Sequence, residues 1–494
     1  MRLAIAGLAL LLLPSGAHAH VGSPNVFFEG HAGAHALNVV IRPPPTLPGV
    51  AQLDIRVADP DVSGVSVRPA FVEAGSIAAP APTAATAVAG DARLFNAAVW
   101  LLRRGSYGMR ITLESPRGGG TVTVPLQAAA LERPVMPPAL GALLVICGAL
   151  LFGWAVWLIG ASAGPSAALI GALALGGAVY AGNLRWRAMD RNFDNALYRP
   201  LPVQAAVRSD GAQPLLRLTP VSGSAPESAW DTLVTDHGKL MHLFLIREDA
   251  LDAFAHLHPV RRDAQTFEGV LPPLPAGSYE LYAELTHESG SSETLVGKVA
   301  VPAPVGPLLG ASGEVPESEV WCVSPTAPVG DSPRPSALDF DDSWHASRMS
   351  RVEGGDAREA PLMGGGRMTF QSDGELVADR KTSLRFTALT AKGEAAMLEP
   401  YMGMLGHAVV RRSDGGVFTH LHPVGTISMA AAELLAKRDG TTEPMSAPAL
   451  AEAREVVFPY AFPRAGHYRM WVQVRTKGAP GVLTGVFDVD VSDG

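Results

Sequence analysis

The chain has 494 residues, two cysteines and a net charge of −8, and its 39 basic residues form no block. That length exceeds one ordinary core, so several domains are expected, and the charge pattern leaves no electrostatic footprint for nucleic acid. Cys147 lies in an apolar run and Cys322 in a proline-rich one, which excludes a disulfide-stapled scaffold.

The first element has the layout of a secretory signal peptide over residues 1–19: Arg2, an apolar stretch from Leu3 to Leu13, and the small-residue site Ala17-His18-Ala19. Cleavage there makes His20 the first mature residue. Its amine and ring can chelate one metal ion together, with His31 or His35 as a third ligand.

Three segments share one signature: LRRGSYGMRITL at 102–113, LPAGSYELYAEL at 274–285 and PRAGHYRMWVQV at 463–474. Each is a turn, then Gly-x-Tyr, then the alternation of a half-buried strand. The repetition predicts a mainly β protein with three Ig-like or cupredoxin-like antiparallel β-sandwich domains, at 20–130, 200–303 and 366–494. The tyrosine matches a sandwich corner whose hydroxyl bonds backbone.

Between the first two copies no residue from Pro134 to Leu184 is charged. One bilayer crossing needs roughly 20 apolar residues, so the run predicts two helices, about 139–161 and 167–184, turning at Ser162-Ala163-Gly164-Pro165-Ser166. The element at 139–184 is thus a transmembrane hairpin. Two crossings return the chain to its starting side, which puts both flanks outside the cytoplasm. Arg185, Arg187 and Arg191 disagree, because the positive-inside rule prefers them in the cytoplasm; a single long crossing with residues 187–494 inside is the rival topology. Residues 304–365, rich in Pro, Gly and Asp, read as a linker without stable strands, with Trp321 and Trp344 as local anchors. SMAAAELLAKR at 428–438 reads as a helix inserted in the third sandwich.

The chemistry concentrates in two hairpins. In GHAVVRRSDGGVFTHLHP, residues 406–423, Asp414-Gly415 signals a tight type I′ turn. Pairing Ser413 with Gly416 sets His407 opposite His422 and Val409 opposite His420, which puts His407, His420 and His422 on one face. In MHLFLIREDALDAFAHLHP, residues 241–259, a three-residue loop pairs Glu248 with Asp252 and sets His242 opposite His258, with His256 on that face. The first copy has the Gly-x-Tyr strand but no His-x-His-Pro, so the histidines are an addition to the fold. They are either polar residues on a solvated sheet face, loop caps, or metal ligands. Three imidazoles suit copper, zinc or nickel, with affinity highest for Cu(II). Met402, Met404, Met429 and Met241 lie near the triplets, and their thioethers would extend a site toward Cu(I); methionine at such places more often fills a core.

The block YMGMLGHAVVRRSDGGVFTHLHP at 401–423 resembles secreted bacterial β-sandwich proteins of the YtkA-like and related group. In these a Gly-His strand is followed by His-x-His-Pro and later by a Pro-x-x-Gly-x-Tyr strand. The resemblance covers most of the second and third domains and implies periplasmic copper or heavy-metal handling. The mature start HVGSPNVFFEGHAG resembles that of membrane-anchored exported proteins, and its free N-terminal His is similar to that of CopC-like copper-binding proteins.

The leading expectation is therefore a non-enzymatic protein of the bacterial inner membrane with periplasmic domains, which binds or passes on copper, with zinc as the alternative. Its ligands are His242, His256, His258, His407, His420, His422 and His20. The second expectation is a scaffold whose Ig-like modules hold a periplasmic protein partner. A metal-dependent enzyme comes third, because P-loop, GxGxxG, GxSxG and HExxH patterns are missing.

Overall fold

A computed structural model describes residues 20–21, 25–74, 79–133, 136–210, 213–221, 230–303, 320–323, 338–347, 358–441, 452–479 and 481–494. The expected signal peptide lies outside them. The class is mainly β, built of antiparallel sheets with two long apolar helices.

The three copies share one sheet order. The Gly-x-Tyr strand lies between the strand that follows it and an earlier one. This places Gly105–Glu114 between Gly120–Ala128 and Gly64–Phe71, Gly277–His287 between Ser292–Val301 and His242–Arg247, and Gly466–Thr476 between Val482–Val491 and His407–Arg412. The outer neighbour is Thr83–Ala84 in the first copy and the His-x-His strand, Ala253–Leu257 or Val417–Leu421, in the others. The position that carries the histidines twice is a two-residue strand in the first copy.

The corner tyrosines are equivalent too. Tyr107, Tyr279 and Tyr468 each donate to the carbonyl four residues earlier, of Arg103 (3.1 Å), Pro275 (2.8 Å) and Arg464 (2.6 Å). The glycine two residues before each tyrosine has a positive φ of 125°, 154° or 134°. At Gly277 and Gly466 a Cβ would stand 3.1 and 2.9 Å from Nε of Arg247 and Arg412, the arginines that end the first histidine strand. Glycine there lets an arginine lie flat on the corner.

The apolar run forms α1 (Pro138–Ala163) and α2 (Pro165–Ala196), which meet at Gly164. Both are long and apolar enough to cross a membrane; α1 alone spans about 39 Å against a hydrocarbon core of about 30 Å. Gly171 lets the helices approach, since a Cβ there would come within 2.7 Å of Ile159. α2 continues past the expected end at 184, because Asp190 and Asp194 on its last turns pair with Arg133 on the incoming chain. Tyr198 N also donates to Ala130 O (2.8 Å). The open ends of the hairpin are thus tied together, so both flanks lie on one side of any membrane the pair crosses.

The linker expectation needs correction. Val320–Val323 and Ser343–Ser347 are strands that extend the second sandwich, with Ser343–Ser347 paired to Ala253–Leu257; Glu359–Pro361 joins the third. The His-x-His strand would otherwise be an edge with unpaired backbone groups, and Trp344 adds apolar burial in the second core. The inserted helix α3 is present at Met429–Asp439, capped by Ser428, whose hydroxyl accepts from Ala431 N (3.2 Å). Its Met429 and Ala432, with Met404 and Ile427, pack into the core of the first sandwich. The third copy thereby docks on the first. His20–Val21 also pairs in parallel with Val417–Phe418 at the edge of the third copy's sheet.

Candidate metal centres

Both hairpins have the register read from the sequence: Val409 pairs with His420 and Leu243 with Leu257. The turn chemistry differs. Only Gly415 of the Asp414-Gly415 pair has a positive φ, 74°, and Gly415 N donates to Arg412 O (2.9 Å). The Asp414 carboxylate instead accepts from Gly416 N (2.8 Å), which closes the loop without changing the pairing.

The histidine faces are not solvated. All six rings are buried, because the two hairpins pack face to face. The contacts are reciprocal, as a local two-fold axis requires. Phe254 of the second copy stacks on Trp471 of the third (5.2 Å, 13°), and Phe418 of the third stacks on Tyr282 of the second (3.8 Å, 4°). Arg411, almost fully buried, reaches Glu280 across the interface (2.6 Å).

Each ring spends one nitrogen on an oxygen. In the second copy, His242 Nε2 meets Asp236 O (3.1 Å), His256 Nδ1 meets Gln473 Oε1 (3.0 Å) and His258 Nδ1 meets Asp342 Oδ1 (3.0 Å). In the third, His407 Nε2 meets Tyr401 O (3.1 Å), His420 Nδ1 meets Glu284 Oε2 (2.9 Å) and His422 Nδ1 meets Ile427 O (3.2 Å). Carbonyl oxygens accept, so the bonded nitrogens of His242, His256, His407 and His422 carry the protons, and Asp342 and Glu284 fix His258 and His420 the same way when ionised. The other nitrogens then face inward with free lone pairs. His242 Nδ1 stands 3.1 Å from His256 Nε2, and His407 Nδ1 stands 3.3 Å from His420 Nε2. Nε2 of His258 and of His422 are buried without a hydrogen-bond partner.

Two nitrogens held 2.0–2.1 Å from one tetrahedral ion are about 3.3 Å apart. The inward pairs have that spacing, and within each triplet the three donor atoms lie within 4.8 Å of one another. Outer N–H groups on carbonyl and carboxylate oxygens fix ring orientation and raise ligand basicity. Burial holds every ring in its neutral, ligating form: it pushes His242 down to about 4 and His422 to about 3, and holds His256, His258, His407 and His420 well below the usual histidine range. Burial also pushes the Glu284 and Asp342 carboxyls up to about 8. Glu284 keeps 27% of its side-chain surface and lines a cavity of about 760 Å³. That cavity runs from His242, His420 and His422 to Ala130, Leu131, Leu197 and Tyr198 at the base of the helical hairpin.

The remaining sequence candidates separate. The backbone of His20 joins the third sheet, while its side chain lies outside the described residues. His35 spends both ring nitrogens, on Asp59 (3.1 Å) and Gly118 O (2.7 Å), and staples two loops. Met241, Met404 and Met429 lie in sandwich cores, and Met402 packs with Tyr401 and Val482. The sequence reading overlooked Glu284, Gln473, Asp342 and a further histidine, His237. Glu284 and Gln473 had a signal: each stands seven residues after the glycine of its Gly-x-Tyr strand, where the first copy has Thr112.

A domain of unknown function (DUF8832) matches residues 363–493, which is the third sandwich. No curated protein matches the chain. Among solved structures, latent PorU from Porphyromonas gingivalis aligns at 9% identity and TM-score 0.14, over 95% of this chain and 34% of that one. A protein from Corynebacterium diphtheriae described as membrane anchored aligns at 10% and 0.14, over 95% and 96%. The ICAM-5 D1–D4 ectodomain fragment aligns at 9% and 0.15, over 90% and 96%. The chain spans about a third of the PorU chain, and superpositions this loose carry no argument about function.

Proposed function

We propose that the chain is a membrane-anchored metal-binding protein that holds copper, or zinc as the alternative, at two histidine centres, and buffers or passes on the ion. Its place is the bacterial inner membrane, with all three sandwiches in the periplasm: an export signal and a two-helix hairpin tied at its open ends support that side. One observation carries the reading. All six imidazoles turn one nitrogen outward to an oxygen and one inward to the triplet centre. With Gln473 Oε1 and an ionised Glu284 accepting from the outer nitrogens, lone pairs face each other at 3.1 and 3.3 Å, an arrangement that a bound cation relieves, and burial disfavours a proton there. A metal ion satisfies it, and the affinity order for nitrogen ligands favours Cu(II). The scaffold reading, with incidental histidines on a wet face, has less support now that the face is buried between two sandwiches.

The test is metal analysis of the full chain in detergent or nanodiscs after loading with Cu(II) or Zn(II) and removal of excess. Two ions per chain are expected. The His256→Ala, His258→Ala and His420→Ala, His422→Ala variants should each retain one. Wild type that retains none, or variants that retain two, would sink the proposal.

A further inference from the structure

The two centres are related by the local two-fold axis, yet one has a seventh histidine beside it. Each centre is entered through a four-residue turn six residues before its first histidine strand ligand: Asp236-His237-Gly238-Lys239 and Tyr401-Met402-Gly403-Met404. Both turns close with reciprocal backbone bonds, Asp236 to Lys239 (2.8 and 3.0 Å) and Tyr401 to Met404 (2.6 and 3.2 Å). Both hold a non-glycine residue in the left-handed region, His237 at φ 52° and Met402 at 49°, followed by glycine at 78° and 77°. Asn-Gly is the preferred pair for such a turn, and histidine is among the side chains that tolerate its left-handed first position.

The His237 ring points across the axis. Its centroid lies 5.2 Å from that of His422 and 5.5 Å from that of His407, but 6.1 Å from that of His242 in its own sandwich. Within the third-copy triplet the centroids are 4.4, 5.2 and 5.4 Å apart, so the His237 ring stands about as close to two of these rings as they stand to each other, while its ligand atoms lie outside the 4.8 Å set of the triplet and a turn of its side chain would bring them in. Its side chain is 9% exposed. Its Nε2 is buried without a hydrogen-bond partner; Asp236 Oδ1 stands 3.5 Å away, out of line for a bond. Gly403 packs beside the ring, 3.9 Å from His237 Nδ1 to where a Cβ would stand, and its own φ of 77° is what calls for glycine. The two-fold counterpart is Met402, which brings no imidazole to the second-copy triplet.

We propose that His237 is the fourth ligand of the centre formed by His407, His420 and His422, contributed in trans by the second sandwich. The centres then differ in kind. Four imidazoles close the third-copy centre, whereas the second-copy centre has three and keeps a position open to an exogenous ligand, the distinction between storage-type and reactive sites. The inference rests on the two-centre reading.

Co(II) as the probe metal, and azide as the exogenous ligand, test it in the full chain. Single-centre chains are made with His256→Ala, His258→Ala or with His420→Ala, His422→Ala. Azide should change the visible spectrum of the chain that keeps the second-copy centre and leave that of the chain that keeps the third-copy centre unchanged. Adding His237→Asn, which suits the left-handed turn, should make the third-copy centre azide-sensitive and raise its Co(II) Kd at least tenfold, about 1.4 kcal/mol. Met402→His should make the second-copy centre azide-resistant while lowering its Co(II) Kd, a gain in affinity that misfolding cannot mimic. Co(II) affinity and azide response unchanged by His237→Asn would overturn the fourth ligand and leave the two centres standing. Wild type that takes up no Co(II) would overturn both.

Discussion

Glu284 and Gln473 occupy the same position of the same strand in two copies of one fold, and each bonds a histidine of the other copy. Glu284 meets His420 Nδ1 at 2.9 Å, and Gln473 meets His256 Nδ1 at 3.0 Å. Within its own sheet each pairs with the first histidine of its own triplet, His242 or His407. Each centre therefore draws one of its three orienting oxygens from the opposite sandwich.

Substitution should show this crossing directly. Glu284→Ala, a change in the second sandwich, should weaken metal binding at the third-copy centre by about 10–100-fold and spare the second-copy centre; Gln473→Ala should do the reverse. Competitive titration of single-centre chains measures both. Loss at the centre of the substituted sandwich itself would contradict the geometry.

The pH dependence should come from the carboxyls before the rings. Glu284 and Asp342, pushed up to about 8, are protonated at neutral pH without metal, and an ion beside the bonded ring favours their ionised form. Metal binding should then release about one proton per centre, so log affinity should fall with slope near one from about pH 8 down to about pH 5. Below that, the slope should steepen as rings held near 4 and 3 take protons. Glu284→Gln should flatten the upper limb at the third-copy centre only. Histidines with the ordinary value near 6.5 would instead give a slope approaching three already at pH 6.

His345 gives a stability signal separate from metal. It is buried beside the second core with Nδ1 unpartnered, and burial pushes it down to about 3. A depressed folded value means that the neutral ring's contribution is complete above about pH 6.5 and is lost as pH falls toward 3. Replacement by the similarly shaped phenyl ring in His345→Phe should relieve about 3 kcal/mol of the loss between pH 7 and pH 4. Denaturant unfolding of both proteins at the two pH values checks this; equal acid losses would show that His345 is solvated.

For topology, alkaline phosphatase fused after Ala130 and after Gly494 should be active in both fusions. Arg133 and Tyr198 tie the two ends of the hairpin to each other. Activity in only the first fusion would revive the single crossing with the C-terminal half in the cytoplasm.

The local parts of this architecture were legible. Alternation and turn residues gave both hairpin registers, the repeated Gly-x-Tyr gave three related strands, and the uncharged run gave two helices, because each depends on neighbours in sequence. The hidden parts depend on distance. Nothing near His256 announces Gln473, which lies 217 residues away, and no hairpin rule says that two histidine faces will cover each other. Asp342 escaped because its segment has the composition of a linker, while the strand it precedes, Ser343–Ser347, forms only against the edge of Ala253–Leu257. His237 escaped because a histidine in a polar turn has no periodicity; alignment of TDHGKLMH with PYMGMLGH would have marked it as a position where one entrance carries an imidazole and the other a thioether.

The crossing of Glu284 and Gln473 has a consequence during synthesis. As the chain emerges, His242, His256 and His258 appear first, and the second sandwich can fold while residue 473 is still to be made. At that stage His256 lacks its oxygen and the histidine face lacks its cover. A nascent or truncated chain thus displays the ligands without the setting that orients and desolvates them. On the two-centre reading, such a chain should hold an ion at the second-copy centre more weakly than the complete chain does.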